Sequence, residues 1–506
     1  MAFAWNDSEI IMNLTTLLPD EAALVTIPSQ YAAERLVLPV AITGGILIVL
    51  WGVENPTWQE SSRLGEELRF LSGHTVRLLN APAEEVRRAI DRCYIRKMIR
   101  DANQQEQEVE VVQTEDDDTA DLEKLAEEAF TIKFVNLLFQ QALQERASDI
   151  HIEPFEYSLV VRFRIDGVLH EVPAPQKSFQ AAITSRIKIM AGLNIAERRL
   201  PQDGRIKLRI SGREIDVRVS TVPTVYGESV VMRLLDRDSM LKSLEDLGMD
   251  GVTLDRFDRM IKRPHGILLV TGPTGSGKTT SLYATLAKLY STEKKIITIE
   301  DPVEYQIEGI NQIPVRPKIG LDFASGLRSI LRQDPDIIMV GEIRDLETAE
   351  IAIQASLTGH LVLSTIHTND APSTVTRLLD MGIDPYLVAS SVFGILAQRL
   401  VRRVCPHCRE AGIPLASGSE NYRSNRGRGC NECRETGYLG RLGLFELLEV
   451  NGAIRQLILE RASADVIYQA GVQNGMVSLR QDGLTKVAAG VTTMDEVTRV
   501  TAFDQA

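Results

Sequence analysis

Aromatic residues are scarce in this chain. Phe, Trp and Tyr make up 5% of its 506 residues, and there are three tryptophans. Grip on single-stranded nucleic acid relies on aromatic stacking along a basic groove. Basic excess is also lacking: Asp and Glu number 69 against 56 for Lys and Arg, a net charge of −13. A broadly basic nucleic-acid surface is thereby excluded, although a narrow, locally basic pore is not. Nucleic acid is therefore not among the expected partners.

Cysteine is scarce as well. Of five cysteines, Cys93 stands alone, and Cys405, Cys408, Cys430 and Cys433 form two CxxC pairs. An odd count with paired spacing argues against a disulfide scaffold and for reduced thiols, a metal and a cytosolic location. Long apolar runs without a charge are nearly absent. Leu36 to Val53 is the exception, 18 residues at the lower limit for a membrane helix. Pro39 and the Gly44-Gly45 pair split it into two Val/Ile/Leu-rich halves, which predicts a buried β-hairpin with a Gly-Gly turn. The opening MAFAWNDSEIIMNL has no basic stretch ahead of an apolar core, so no signal peptide is expected. Any membrane association is expected to be indirect.

The bulk composition is ordinary for globular domains, with 44% apolar and 25% charged residues. At this length two to four domains are expected. Residues 1–98 form a first unit that ends in a basic helical run, EVRRAIDRCYIRKMI. Residues 99–124 are polar and acidic and read as a linker or frayed helix outside any core. From 125 to 242 an amphipathic helix precedes alternating strands such as SLVVRFRIDG and GRIKLRISGREIDVRVSTV, the latter turning at Ser211-Gly212. This predicts an α+β domain whose open sheet face is lined with arginines. From 243 to 506 apolar strands alternate with helices, which predicts a parallel sheet covered on both faces, with the cysteine segment (398–440) as an insertion.

Gly272, Pro273, Thr274, Gly275, Ser276, Gly277, Lys278, Thr279 and Thr280 follow strand GILLVT and open a helix. GxxxxGK[ST] in that setting is a phosphate-binding loop: backbone N–H groups and the helix N-terminus cradle phosphates, Lys278 reaches the β- and γ-phosphates, and Thr279 ligates Mg²⁺. ATP is the expected ligand. The second strand ends in Glu300-Asp301-Pro302-Val303-Glu304. Carboxylates there can orient an attacking water or cap a helix, and position alone leaves both open. The third strand ends in Gly341-Glu342, where a standard P-loop ATPase has Asp. His360 and His367 bracket the fourth strand. Each can be a core histidine, but a pair at the nucleotide edge of the sheet would suit phosphate sensing or a subunit contact.

Together, ITIEDPVEY, DIIMVGEIRD and TGHLVLSTIHTNDAP after the phosphate loop resemble the Asp box, Walker B and His box of the secretion ATPases of type II secretion and type IV pili. ASDIHIEP (147–154) and RRLPQDGRI (198–206) extend the resemblance to about residues 147–450. It implies a RecA-like P-loop core, a preceding α+β (PAS-like) domain and a small N-terminal α/β domain. It also implies Glu304 as general base with Glu300 second, and Glu342 as the Walker B acid. Arg218 and Arg233 match arginines delivered across a subunit boundary, and Arg328, Arg332, Arg344 and Arg441 match arginines of the ATPase domain. Read without the family, the alternating arginines are more simply a solvated strand face.

The cysteine knuckles lie 21 residues apart. Four thiolates around one ion suit a structural zinc site; a disulfide pair and an iron–sulfur cluster are the alternatives. Retraction-type pilus ATPases lack this insertion, so the resemblance favours an assembly-type motor of the type II secretion class, with pilus extension as the alternative. It further implies a homo-oligomer, a hexameric ring, attached peripherally to the cytoplasmic face of the bacterial inner membrane. The N-terminal unit would dock on the cytoplasmic domain of secretion protein L, and the ring would act on the inner-membrane platform protein.

Overall fold

The computed structural model describes residues 19–28, 31–32, 35–53, 56–87, 89–90, 93, 109–111, 122–210, 212–236, 243–414 and 423–502. The chain falls into two compact units, Met1–Arg237 and Asp238–Ala506.

The first unit holds two hydrophobic cores. In the N-terminal one, β1 (Val37–Thr43) and β2 (Ile46–Trp51) pair antiparallel, with Thr43 opposite Ile46. Gly44 and Gly45 have φ of 59° and 80°, the left-handed conformation that a two-residue type I′ turn demands at both positions. The charge-free run is thus the expected hairpin, with Leu38, Val40, Leu47 and Val49 fully buried. Among the described residues no helix is long and apolar enough to cross a membrane. β3 (Thr75–Asn80) joins β2 in parallel after the helix Trp58–Ser72, the crossover that a parallel pair requires. Cys93 is buried in this core. The helical run expected at 85–99 is helical at its described positions, and residues 94–99 lie outside the described ones.

The second core belongs to a seven-stranded sheet ordered β4-β8-β9-β10-β5-β6-β7, every pair antiparallel. Its strands are β4 (Val109–Val111), β5 (Asp149–Pro154), β6 (Leu159–Ile165), β7 (Val168–Val172), β8 (Gln202–Ile210), β9 (Arg213–Thr224) and β10 (Gly227–Asp236). The alternation predicted for β8 is observed: Ile206, Leu208 and Ile210 are buried, and Arg205, Lys207 and Arg209 are exposed. Helices Leu122–Gln144 and Gln180–Met190 bring Phe134, Leu138, Phe139, Ile183 and Ile187 to the buried face. The acidic stretch 99–124 differs from its expectation. Val109–Val111 forms the edge strand β4 against β8, and the helix already starts at Leu122. A three-residue strand among acids carries no periodicity to read, because its pairing comes from β8.

The second unit is built on β11 (Gly266–Thr271), β12 (Ile296–Glu300), β13 (Asn311–Pro314), β14 (Ile337–Val340), β15 (Leu361–Ile366), β16 (Val392–Val404) and β19 (Tyr438–Glu449). Their order is β13-β12-β14-β15-β11-β16-β19, parallel except for β19. All residues of β11, β12, β14 and β15 are buried, which is why these strands read as continuous apolar runs. Separate cores on the two faces, one around Leu282 and Leu286, the other around Ile353 and Val375, complete the RecA-like α/β core. β16 and β19 belong to this sheet, so the insertion proper is the segment between them. It contains the hairpin β17 (Arg409–Pro414) and β18 (Arg423–Gly427). C-terminal helices lock onto β16 and β19 through buried acids: Asp482 accepts from the Phe445 N–H at 2.8 Å, and Glu496 from the Arg402 N–H at 2.9 Å.

Candidate nucleotide and metal sites

Register fixes the site. Thr271 of β11 pairs with Ile366 of β15, and Ile299 of β12 pairs with Val340 of β14. Parallel strands that end together bring the phosphate loop, residues 301–304, 341–345 and 367–370 to one edge, the place where open α/β sheets bind ligands.

Within the loop, Gly272 has φ of 144° and Gly277 φ of 86°. The helix Lys278–Leu289 starts directly after it, presenting its N-terminal N–H groups. Lys278 is 9% exposed, and its Nζ donates to the carbonyls of Gly272 (2.8 Å) and Pro273 (3.0 Å). Burial pushes its pKa down to about 8; the nearby Glu342 opposes this and Arg399 adds to it. Pro273, Thr274 and Gly275 are exposed at the crown, Ser276 is buried, and Thr279 and Thr280 are half-buried on the first helical turn.

The three candidate acids stand in different surroundings. Glu342 shares its carboxylate between Arg344 and His367, whose Nε2 lies 3.3 Å from Oε2. Glu300 is 3% exposed and accepts from the Tyr283 hydroxyl, from Thr298 Oγ1 at 2.5 Å and from Gln312 Nε2 at 3.1 Å. Such a carboxylate is a structural anchor between the loop helix and β12. Glu304 is half-buried, and its N–H donates to the Tyr283 hydroxyl at 3.3 Å. Burial, followed by the charge of Glu300, pushes the Tyr283 phenol up, so it stays a neutral hydroxyl between the two acids.

His367 reaches the nucleotide edge, and His360 does not. His360 precedes β15, where the Gly266 N–H donates to its carbonyl, and its Nδ1 lies 2.8 Å from the Ala355 carbonyl. Two histidines that bracket a six-residue strand sit at its opposite ends, roughly 20 Å apart along extended chain. The expectation of both histidines at the nucleotide edge is therefore corrected: His367 stands there, and His360 at the other end of β15. Arg328 pairs with Glu347 at 2.5 Å. Arg332 donates to the Arg328 carbonyl at 2.9 Å and to Ser329 Oγ at 3.3 Å. These partners lie outside the phosphate loop. Arg441 is exposed on β19 opposite Arg402, beyond the end of β11 on the loop's side of the sheet.

In the first unit, the open face carries a row in register across five strands: Arg205, Arg218, Arg233, Asp149, Arg164. Arg233 Nε donates to Asp149 Oδ1 at 3.0 Å, and Arg164 Nε lies 3.7 Å from Oδ2. Arg205 belongs to this row although the sequence reading passed over it. The alternation of β8 was the available signal.

Cys405, Cys408, Cys430 and Cys433 present four sulfurs all within 4.8 Å of one another. The Sγ atoms lie 3.9 Å (405–430), 3.7 Å (408–433) and 3.6 Å (430–433) apart. A tetrahedron with Zn–S bonds near 2.3 Å has edges of about 3.8 Å, so the donor set fits zinc. Burial pushes the Cys433 thiol up, but N–H donors from Gly437 and Cys430 outweigh it and bring it to about 7. All four are free thiols, which removes the disulfide alternative.

Three further residues at the nucleotide edge escaped the sequence reading. Gln398 packs on the phosphate loop. Thr271 Oγ1 and Thr368 Oγ1, 2.7 Å apart, tie β11 to the segment after His367. Gln398-Arg399 inside the apolar run GILAQRLV was the available signal, since a polar pair in a buried strand needs partners.

The type II/IV secretion system protein family profile matches residues 124–499, and an MshEN domain profile matches residues 9–99. A type II secretion system protein of Pseudomonas aeruginosa, HxcR, is 55% identical over 398 residues, covering 78% of this chain and 83% of its own. The type IV pilus assembly ATPase PilB of Myxococcus xanthus is 46% identical over 506 residues, covering 96% of this chain and 88% of its own. The solved ATPase DotB of Legionella pneumophila superimposes with a TM-score of 0.57 at 22% identity, over 73% of this chain and 95% of its own, a likeness of fold. With the loop, the acids and His367 gathered on one sheet edge, the chain belongs to the type II/IV secretion system protein family as an ATP-hydrolysing secretion ATPase.

Proposed function

We propose that this ATPase is the motor of a type II secretion system, turning ATP hydrolysis into assembly of a pseudopilus and export of folded proteins across the outer membrane. The similarity to HxcR over 78% of the chain carries the reading. In the proposed cycle Thr279 and Glu342 hold Mg²⁺, Lys278 meets the β- and γ-phosphates, and Glu304 takes the proton of the attacking water. Glu300 fixes the strand end from which Glu304 acts. Arg218 and Arg233, supplied by a neighbouring subunit of a hexameric ring, neutralise charge that develops on the phosphoryl group. Arg328, Arg332, Arg344 and Arg441 serve the same nucleotide or the subunit boundary. Cys405, Cys408, Cys430 and Cys433 would hold one zinc as a structural centre. The N-terminal domain docks on the cytoplasmic domain of secretion protein L, placing the ring beneath the inner-membrane platform protein.

A Lys278→Ala allele in the source bacterium tests the coupling. Retention of a normally exported hydrolase in the periplasm supports type II secretion, and normal export sinks it. Pilus assembly is the second reading. The Myxococcus relative favours it by aligning with 96% of the chain, and loss of surface filaments with secretion intact would establish it.

A further inference from the structure

Gln398 sits at the point where β11 gives way to the phosphate loop. The last register pair between β11 and β16 is Thr271 with Ala397, so Gln398 faces the chain as it leaves the sheet. Three contacts follow from this placement. A Cβ added at Gly272 would lie 2.4 Å from the Gln398 carbonyl oxygen, so the loop's first glycine packs directly on that carbonyl. A Cβ added at Gly277 would lie 2.8 Å from Gln398 Nε2, so the loop's last glycine packs on the amide. Ser281 Oγ, on the loop's own helix, donates to Oε1 at 2.7 Å. One residue thus touches the beginning of the loop through its backbone carbonyl, and the loop's end and the helix after it through its side chain.

The same side chain is 1% exposed, and its Nε2 has no hydrogen-bond partner within the chain. Ser276 Oγ, between the two glycines, is also buried without one. A buried polar atom left without a partner carries an uncompensated desolvation penalty. Two of them on one arch built to receive phosphates mark a site that an anion completes.

We infer that Gln398 is a positioning residue of the nucleotide site, holding Gly272 and Gly277 at the separation that lets the loop close on a nucleoside di- or triphosphate. It acts through the loop, in the chain's own subunit. The inference concerns how nucleotide is held and stands whichever machine the ATPase drives.

Full-length Gln398→Glu and Gln398→Leu proteins test it, with fluorescently labelled ADP and Mg²⁺ as the probe and thermal melting as the control. Gln398→Glu keeps the acceptor for Ser281 and the side-chain shape but sets a carboxylate against Gly277. The expected result is a Kd raised at least about tenfold in both, because the loop loses the amide that its last glycine packs on, with KM for ATP rising more than kcat falls. A Kd within twofold of the parent in folded Gln398→Glu would overturn the inference and leave Gln398 as a core residue joining β16 to Ser281. Should Gln398→Leu fail to fold, Ser281→Ala, which releases the amide and leaves the strand intact, carries the test. A raised Kd supports the inference, and an unchanged one overturns it.

Discussion

His367 Nε2 lies 3.3 Å from Glu342 Oε2, while Arg344 holds the other oxygen of the same carboxylate. A carboxylate held between two cationic or donor groups has its orientation fixed by the protein, as the Walker B role proposed for Glu342 requires. Glu342→Gln should lower kcat by at least about a hundredfold, and His367→Ala by about tenfold, with nucleotide Kd changed far less. His360→Ala, at the other end of β15, should keep kcat within about twofold. Steady-state phosphate release separates the three, and equal losses for both histidines would refute the placement.

Glu304 and Glu300 should part in the same way. Glu304→Gln should cost about 10²–10⁴ in kcat, the worth of a positioned general base, with the melting temperature unmoved. Glu300→Gln removes a charged acceptor from Tyr283, Thr298 and Gln312. It should destabilise by about 1.5–3 kcal/mol, read as a fall of several degrees in the melting temperature. A stable, inactive Glu300→Gln protein would reverse the two roles.

Lys278 gives a pH dependence with a definite sign. Its ammonium titrates at about 8 in the ligand-free protein, and a bound phosphate can only favour the charged form. Nucleotide affinity should therefore be full below that pH and weaken above it, by up to about tenfold per pH unit. Titration of labelled ADP from pH 7 to 9.5 checks this, and a flat profile would contradict the burial of the amine.

Purified protein should carry one zinc per chain, lost in Cys433→Ser and under strong chelators. Metal analysis gives the stoichiometry. Because the thiolates converge only in the folded insertion, zinc loss should also lower the melting temperature.

Acid should loosen the C-terminal helices first. Burial raises the Glu496 pKa, but hydrogen bonds from Arg499 and Arg402 outweigh it and hold it at about 2. A depressed carboxyl pKa contributes stability that is present above the unfolded value and lost as pH falls through the folded one, here from about 4.5 toward 2. The contribution is about 2–3 kcal/mol. Hydrogen exchange in Met494–Thr501 should accelerate across that window, and Glu496→Gln should show the acceleration already at pH 7.

What could be read from the sequence was what is local. Gly272 to Thr279 is a contiguous loop whose glycines, lysine and hydroxyl need no distant partner to be recognised, and the two CxxC knuckles are equally short-range. The Gly44-Gly45 hairpin was legible because a turn with two left-handed residues has few sequence solutions. His360 was misplaced because spacing was read without strand direction. Gln398 was passed over for a different reason: a polar pair in an apolar run signals a need for partners but not which, and its contacts with Gly272 and Gly277, more than a hundred residues earlier, are created only by the pairing of β11 with β16. The edge strand β4 failed likewise, borrowing its structure from β8.

β16 runs from Gln398 at the phosphate loop to Val404, and Cys405 follows as the next residue. Paired with β19 along most of that length, it spans roughly 23 Å as extended backbone, which can tilt or translate but cannot stretch. The two chemistries of this domain therefore hang on one stiff rod. A glycine loop that shifts its height by an ångström must either carry the thiolate end with it or bend the rod at its one break in register, between Arg402 and Val404. The phosphate loop and the cysteine cluster thus lie at the two ends of one paired strand segment, whose single break in register against β19 falls next to the cysteines.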